Sequence, residues 1–202
     1  MRLIGNSCTL GVPASIAAFL LGAALSSTAM ADTTYVSDQG HTEVLFGWSH
    51  AGVTRQNGEF TDAVATLNLA DNMADSTVEV EIATDSVSSG FEALDTHLKS
   101  ADYLDVETHP AMTFKSTGIE MTGEDTMNVT GDLTLHGVTQ EVMLETKMTL
   151  NGEHPLGGAL DYYKGDWIAF QASTEIDHTA FEVGSFNTGP IAITINMEMK
   201  AP

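Results

Sequence analysis

The sequence predicts an all-β protein, a sandwich or a closed barrel of about eight antiparallel strands with one short helix. Three observations carry that reading. Apolar and polar residues alternate with period two over most of the chain beyond residue 41, the mark of half-buried strands. The alternating stretches are separated by short Gly-, Asn-, Asp- and Pro-containing turns, which favours an antiparallel meander. One segment alone switches to helical spacing.

The clearest element is a hairpin over Val129–Leu144. Val129, Gly131, Leu133 and Leu135 share one phase before the turn, and Val138, Gln140, Val142 and Leu144 share it after. His136-Gly137 between them suits a two-residue turn, since glycine tolerates positive φ. That loop sets Leu135 opposite Val138, Gly131 opposite Val142 and Val129 opposite Leu144. Leu133 opposite Gln140 is its weak pair. Asp132 then faces Glu141 on the polar side, where mild like-charge repulsion is expected rather than acid–base chemistry.

The other elements follow in order. Thr42–His50 alternates, with Val44, Phe46, Trp48 and His50 on one face. Glu59–Leu69 is a strand of less tidy phase, and Asp71–Ser76 a turn. Thr77–Thr84 sets Val78, Val80 and Ile82 against Glu79, Glu81 and Ala83. In Ser88–Ala101, Phe91, Leu94 and Leu98 fall three and four apart, an amphipathic helix. Ala111–Ile119 returns to strand with Met112 and Phe114 in phase. After the hairpin, 151–166 is loop-like. Trp167–Ile176 puts Ile168, Phe170, Ala172, Thr174 and Ile176 in one phase. Pro190 opens the last strand, whose inward set is Ile191, Ile193, Ile195, Met197 and Met199. Closure would remove exposed edges, and eight strands enclose either a filled core or room for one small ligand.

Residues 1–31 read as a cleaved signal peptide. Arg2 gives a basic start, Ile16–Leu25 is apolar, and Ala29-Met30-Ala31 is a small-x-small cleavage site,. The apolar run is too short for a comfortable membrane span. One domain, 32–202, should remain, exported to the periplasm. Cys8, the single cysteine, lies in the leader, so disulfides and thiolate chemistry are excluded from the exported chain.

The chain has 28 acidic against 7 basic residues and a formal charge of −21. Such a protein repels nucleic acid and anionic lipid surfaces, and its self-repulsion should weaken the fold at low salt. No nucleic-acid partner and no stable membrane insertion are expected. The oligomeric state, a homodimer included, stays open. Seven histidines are present, but none pairs with another at a short metal-ligand spacing, so neither a metal nor a cofactor is expected. Ser86, Ser88 and Ser89 lack a nucleophile turn. No catalytic residue emerges, and the expectation is a protein that is not an enzyme.

Three ordered segments resemble the YceI-like family of exported bacterial proteins. The first is His41-Thr42-Glu43-Val44-Leu45-Phe46, with His50-Ala51-Gly52-Val53 and Gly58-Glu59-Phe60. The second runs Asp95-Thr96-His97-Leu98-Lys99-Ser100-Ala101-Asp102-Tyr103-Leu104-Asp105, then His109-Pro110 and Phe114-Lys115-Ser116. The third is Thr130-Gly131-Asp132-Leu133-Thr134-Leu135-His136-Gly137-Val138-Thr139.

The resemblance implies an eight-stranded antiparallel lipocalin-like barrel. It also implies a polyisoprenoid or isoprenoid-quinone-like lipid bound in the interior for transport or storage. The apolar phases nominate Val44, Phe46, Trp48, His50, Val78, Val80, Ile82, Met112, Phe114, Leu133, Leu135, Ile168, Phe170, Ile193 and Ile195 as the ligand-facing wall. The alternative is a ligand-free stress or interaction protein whose barrel these same residues fill. Two departures stand out. Leu94 and His178 occupy positions where the family often carries arginine, so two fixed positive charges are missing. If those charges meet a lipid headgroup elsewhere in the family, the ligand here differs.

Overall fold

The computed structural model describes residues 32–185 and 188–202. The leader reading and Cys8 therefore lie outside the described residues. Ten strand segments form the sheet: β1 (Thr33–His50), β2 (Thr54–Phe60), β3 (Ala63–Leu69), β4 (Thr77–Ala83), β5 (Val87–Ser88), β6 (Ala111–Met121), β7 (Thr126–Leu135), β8 (Val138–Glu153), β9 (Asp166–Ile176) and β10 (Ile191–Lys200). The helix α1 (Glu92–Lys99) stands between β5 and β6.

The ten segments make eight strands. β1 pairs with β2 along its second half and with β3 along its first, so β2 and β3 are one strand kinked at Thr61-Asp62. Likewise β3 pairs with β4, and β2 with β5; β4 and β5 are one strand broken by a short 3-10 turn, Thr84–Ser86. The remaining neighbours follow in chain order to β10, which pairs back onto β1. Every pairing is antiparallel, and the sheet closes on itself as an eight-stranded up-and-down barrel. Closure leaves no long edge to aggregate.

The β7–β8 hairpin has the register the alternation predicts, with Leu135 opposite Val138, Leu133 opposite Gln140, Gly131 opposite Val142 and Val129 opposite Leu144. Its turn residues His136 and Gly137 have φ of 53° and 77°, the doubly left-handed geometry of a type I′ turn. Gly131 is required for a different reason. The Phe114 ring lies where its Cβ would be, and the Lys115 carbonyl would sit 2.6 Å from that atom.

Several boundaries differ from the sequence reading. The strand expected over Glu59–Leu69 begins at Thr54 and is broken at Thr61-Asp62, and β6 runs two residues past Ile119 to Met121. β1 begins at Thr33, nine residues before the predicted start at Thr42, because the register with β10 shifts between Ser37 and Thr42. That irregularity interrupts the alternation without ending the pairing. β8 continues to Glu153, three residues into the predicted loop. The helix is confined to Glu92–Lys99, since Gly90 holds φ at 76° and the chain turns after Lys99.

The irregular stretch of β1 has its own support. The side chains of Asp38 and His41 approach to 2.6 Å, and Tyr162 donates to Asp38 at 2.7 Å. Trp167, wholly buried, points outward from β9 beneath this layer. Tyr163 and His154 pack on it, and its indole N–H donates to the Tyr163 carbonyl at 3.0 Å. The Lys200 ammonium sits 5.3 Å from the Trp167 ring centre. Burial would raise Asp38, but hydrogen bonds from His41, Tyr162 and the Gly40 N–H outweigh it and hold the carboxyl below its usual range. The hydrogen bond to Asp38 raises His41 against the opposing effect of burial.

Candidate functional site: the barrel lumen

The inward phases of the strands enclose a cavity of about 500 Å³. That is within the span of ordinary ligand pockets, about 300–1,000 Å³. It extends from Met73, Met127 and Met199 at one end to Trp48, His50 and Leu94 at the other. Each strand contributes every second residue, so the same alternation that makes the sheet makes the wall.

All the nominated inward residues except Ile168 line this space. Ile168 shares their phase but is wholly buried with Tyr35, Leu67, Met197 and Met199 at the Met73 end. There Ile168 packs behind the residues that border the cavity, Leu67, Met197 and Met199. Of the other wall residues, Val44, Ile82, Met112, Phe114 and Leu135 are buried, while Phe46, Trp48, Val80, Phe170 and Ile195 keep partial exposure. These partly exposed residues all border the cavity.

The opening is at the helix end. His50, Ala51 and His97 both line the cavity and are exposed, and all belong to segments at that end. His50, which shares the phase of Val44, Phe46 and Trp48, thus stands at the mouth rather than in the interior. Leu94 and Leu98 present the apolar face of α1 to the lumen. The helix is anchored to the residue after β5 by Asp95, which accepts from both the Ser89 N–H and the Ser89 hydroxyl at 2.6 Å.

The electrostatics of the wall are simple. Among the described residues, no Asp, Glu, Lys or Arg lines the cavity. The 28 acids lie off this wall. Polar lining is limited to threonines, tyrosine and histidines such as Thr146, Thr174, Tyr103 and His178. His178, at a position where an arginine was noted as missing, is buried. Its Nδ1 is 2.6 Å from the Val183 carbonyl, to which it donates, and its Nε2 accepts from the Thr188 N–H at 3.3 Å. Both nitrogens are therefore occupied, and the ring is fixed in the wall. Leu94, at the other position, is apolar.

Sequence reasoning missed one grouping. Asp105, His109 and His136 each bring a donor atom within 4.8 Å of the others, just outside the wall at the helix end. Asp105 and His109 are four residues apart in a turn, but His136 arrives from the β7–β8 turn. Spacing along the chain gives no sign of that meeting.

An antiparallel meander closed at eight strands, hollow, apolar within and open beside a short helix, defines a lipocalin-like, single-chamber β-barrel. The profile of the YceI-like domain matches residues 35–201. The chain belongs to the YceI-like family. A UPF0312 protein of Ectopseudomonas mendocina is 36% identical over 91% of this chain and 93% of its own. Among solved structures, Burkholderia cenocepacia BcnA superposes with a TM-score of 0.69 at 21% identity, over 80% of this chain and 98% of that one. A polyisoprenoid binding domain from Saccharophagus degradans has a TM-score of 0.62 at 13% identity, over 85% and 99% of the two chains.

Proposed function

We propose that this protein binds a lipid with an isoprenoid-type chain, a polyisoprenoid or an isoprenoid quinone, and carries or stores it in the periplasm. The observation that carries the reading is a hollow lumen with no Asp, Glu, Lys or Arg on its wall among the described residues. Such a space returns roughly 25 cal/mol for each Å² of apolar ligand surface it takes from water. It offers nothing to an ion. Among the described residues the lining holds no lysine or arginine, which favours an uncharged headgroup, hence a quinone over a prenyl phosphate. The name of the Saccharophagus degradans relative agrees with this ligand class.

The reading includes a mature domain starting at Asp32 after removal of the leader, and a binding protein rather than an enzyme. The open cavity speaks against the filled-barrel alternative, since a ligand-free structural barrel gains stability by filling such a void.

The test is organic extraction of the protein purified from its native host, followed by mass spectrometry of the lipid and N-terminal sequencing of the chain. A prenyl lipid in stoichiometric amount, with an N-terminus at Asp32, is the expected result. Protein that carries no lipid, and takes up none when offered ubiquinone-type compounds in solution, overturns the proposal.

A further inference from the structure

We propose that Asp105, His109 and His136 form a binding site for a divalent transition-metal ion of the zinc type at the rim of the barrel. The ion would tie the segment after α1 to the β7–β8 turn.

The donors come from two elements held close by their backbones. The Asp105 carbonyl accepts from the Thr108 N–H at 3.0 Å and from the His109 N–H at 2.8 Å. This tight turn sets the two side chains four residues apart on one side. The His109 carbonyl is pinned by the Thr84 hydroxyl at 2.6 Å. His136 occupies the first position of the type I′ turn, with φ of 53°, a conformation uncommon for a residue with a side chain. Gly137 follows, and a Cβ there would fall 2.7 Å from His109 Cε1. The bare glycine is what lets the imidazole of His109 approach. The two rings meet edge to face with centres 4.7 Å apart.

One atom in this arrangement is incomplete. His136 Nδ1 is buried and has no hydrogen-bond partner among the described residues. Buried polar atoms are rarely left so, and an absent ion is one of the recognised reasons. Two imidazoles and a carboxylate are a borderline donor set, suited to Zn²⁺ and its first-row neighbours rather than to Ca²⁺ or Mg²⁺, which take oxygen ligands. Ligands about 2.1 Å from zinc stand about 3.4 Å apart in a tetrahedron. Donors already within 4.8 Å of one another reach that by small side-chain rotations. Three protein ligands leave a fourth position for water or for a group of a ligand at the mouth. Leu104 and Leu135, the chain neighbours of Asp105 and His136, both line the lumen. An ion here would therefore stiffen the wall at its opening.

Zinc binding to the exported chain should be measured by calorimetry in excess Mg²⁺, which occupies the exposed carboxylates. The expected result is a single Zn²⁺ per chain, with affinity lowered at least tenfold in each of Asp105→Asn, His109→Asn and His136→Asn. Asparagine accepts the positive φ at positions 105 and 136, and a zinc-free melt of each variant checks its fold. Independently of any variant, NMR of the unaltered protein should show zinc shifting the ring signals of His109 and His136 but not those of His50 and His97. Zinc that fails to bind against Mg²⁺, or that binds without moving those two rings, overturns the proposal.

Discussion

Ala172 is the position at which the lumen is most simply blocked. It lies on β9 between Thr146 of β8 and Ile195 of β10, and all three line the cavity. Ala172 is buried but borders the cavity, so Ala172→Phe should direct its ring into that space. A ligand chain threading this point loses contact with about as many carbons as the ring displaces. At about 0.8 kcal/mol per buried methylene, excluding four of them costs about 3 kcal/mol, or about two orders of magnitude in affinity. The free protein should respond in the opposite sense. Filling an apolar void restores dispersion contacts that its lining lacks, so the apo melting temperature should hold or rise. The assay is titration with an isoprenoid quinone, read by Trp48 fluorescence in the cavity wall, alongside a thermal melt without ligand. A variant that melts like the parent and still binds the quinone with parental affinity refutes the idea that the lumen is the binding site.

Gly131→Ala should destabilise the protein by about 1–3 kcal/mol, the range for overpacking a core. The new methyl meets the Phe114 ring and, at 2.6 Å, the backbone carbonyl of Lys115, which cannot rotate away; urea unfolding would check it. The His41–Asp38 pair makes stability depend on pH. The raised His41 contributes fully below the unfolded imidazole value of about 6.5 and loses its contribution as pH rises through the folded value. The lowered Asp38 contributes above about 3.9 and loses its share as pH falls through the folded value. The melting-temperature gap between the parent and His41→Gln should therefore be widest between about pH 4 and pH 6.5 and shrink in alkali; a gap independent of pH argues against the pair. With a formal charge of −21, the melting temperature should rise from 10 mM to 1 M NaCl, as the Debye length falls from about 30 Å to about 3 Å. A melt unaffected by salt would mean that the outer acids do not repel one another appreciably.

The faces of the strands could be read from the chain because each is decided locally. Val44, Phe46 and Trp48 alternate with Leu45, Gly47 and Ser49, and a pleated strand has only two sides. The β7–β8 register could be read too, since a two-residue turn leaves no freedom in the pairing. What resisted reading involves meetings between distant segments. The first half of β1 was hidden because Ser37–Gly40 interrupts the alternation, while its support comes from Tyr162, 124 residues away. Trp167 shows the same limit from the other side. Its outward phase promises exposure, yet the 154–163 segment covers it completely. Ile168, in the inward phase, meets packed side chains rather than the cavity, and no pattern along one strand reports the distance to the strand opposite.

The same reasoning separates the two halves of the molecule's chemistry. A strand wall one residue thick places an acidic outer surface and an apolar lumen back to back. Glu79 and Glu81 face away while Val78, Val80 and Ile82 face in, all within seven residues of β4. The outer charge needs few partners, and the ion pairs of Lys115 with Glu79 and of Lys164 with Asp161 are exposed, where such pairs contribute little. Cohesion therefore falls to backbone pairing around the closed sheet and to the packed clusters at its two ends. Phe114 and Val129 add a third packed group between them, and the cavity lies beside these clusters rather than in place of them. Packed clusters and a cavity are thus compatible in one short chain, and the prediction for Ala172, midway along β9, rests on its bordering that cavity.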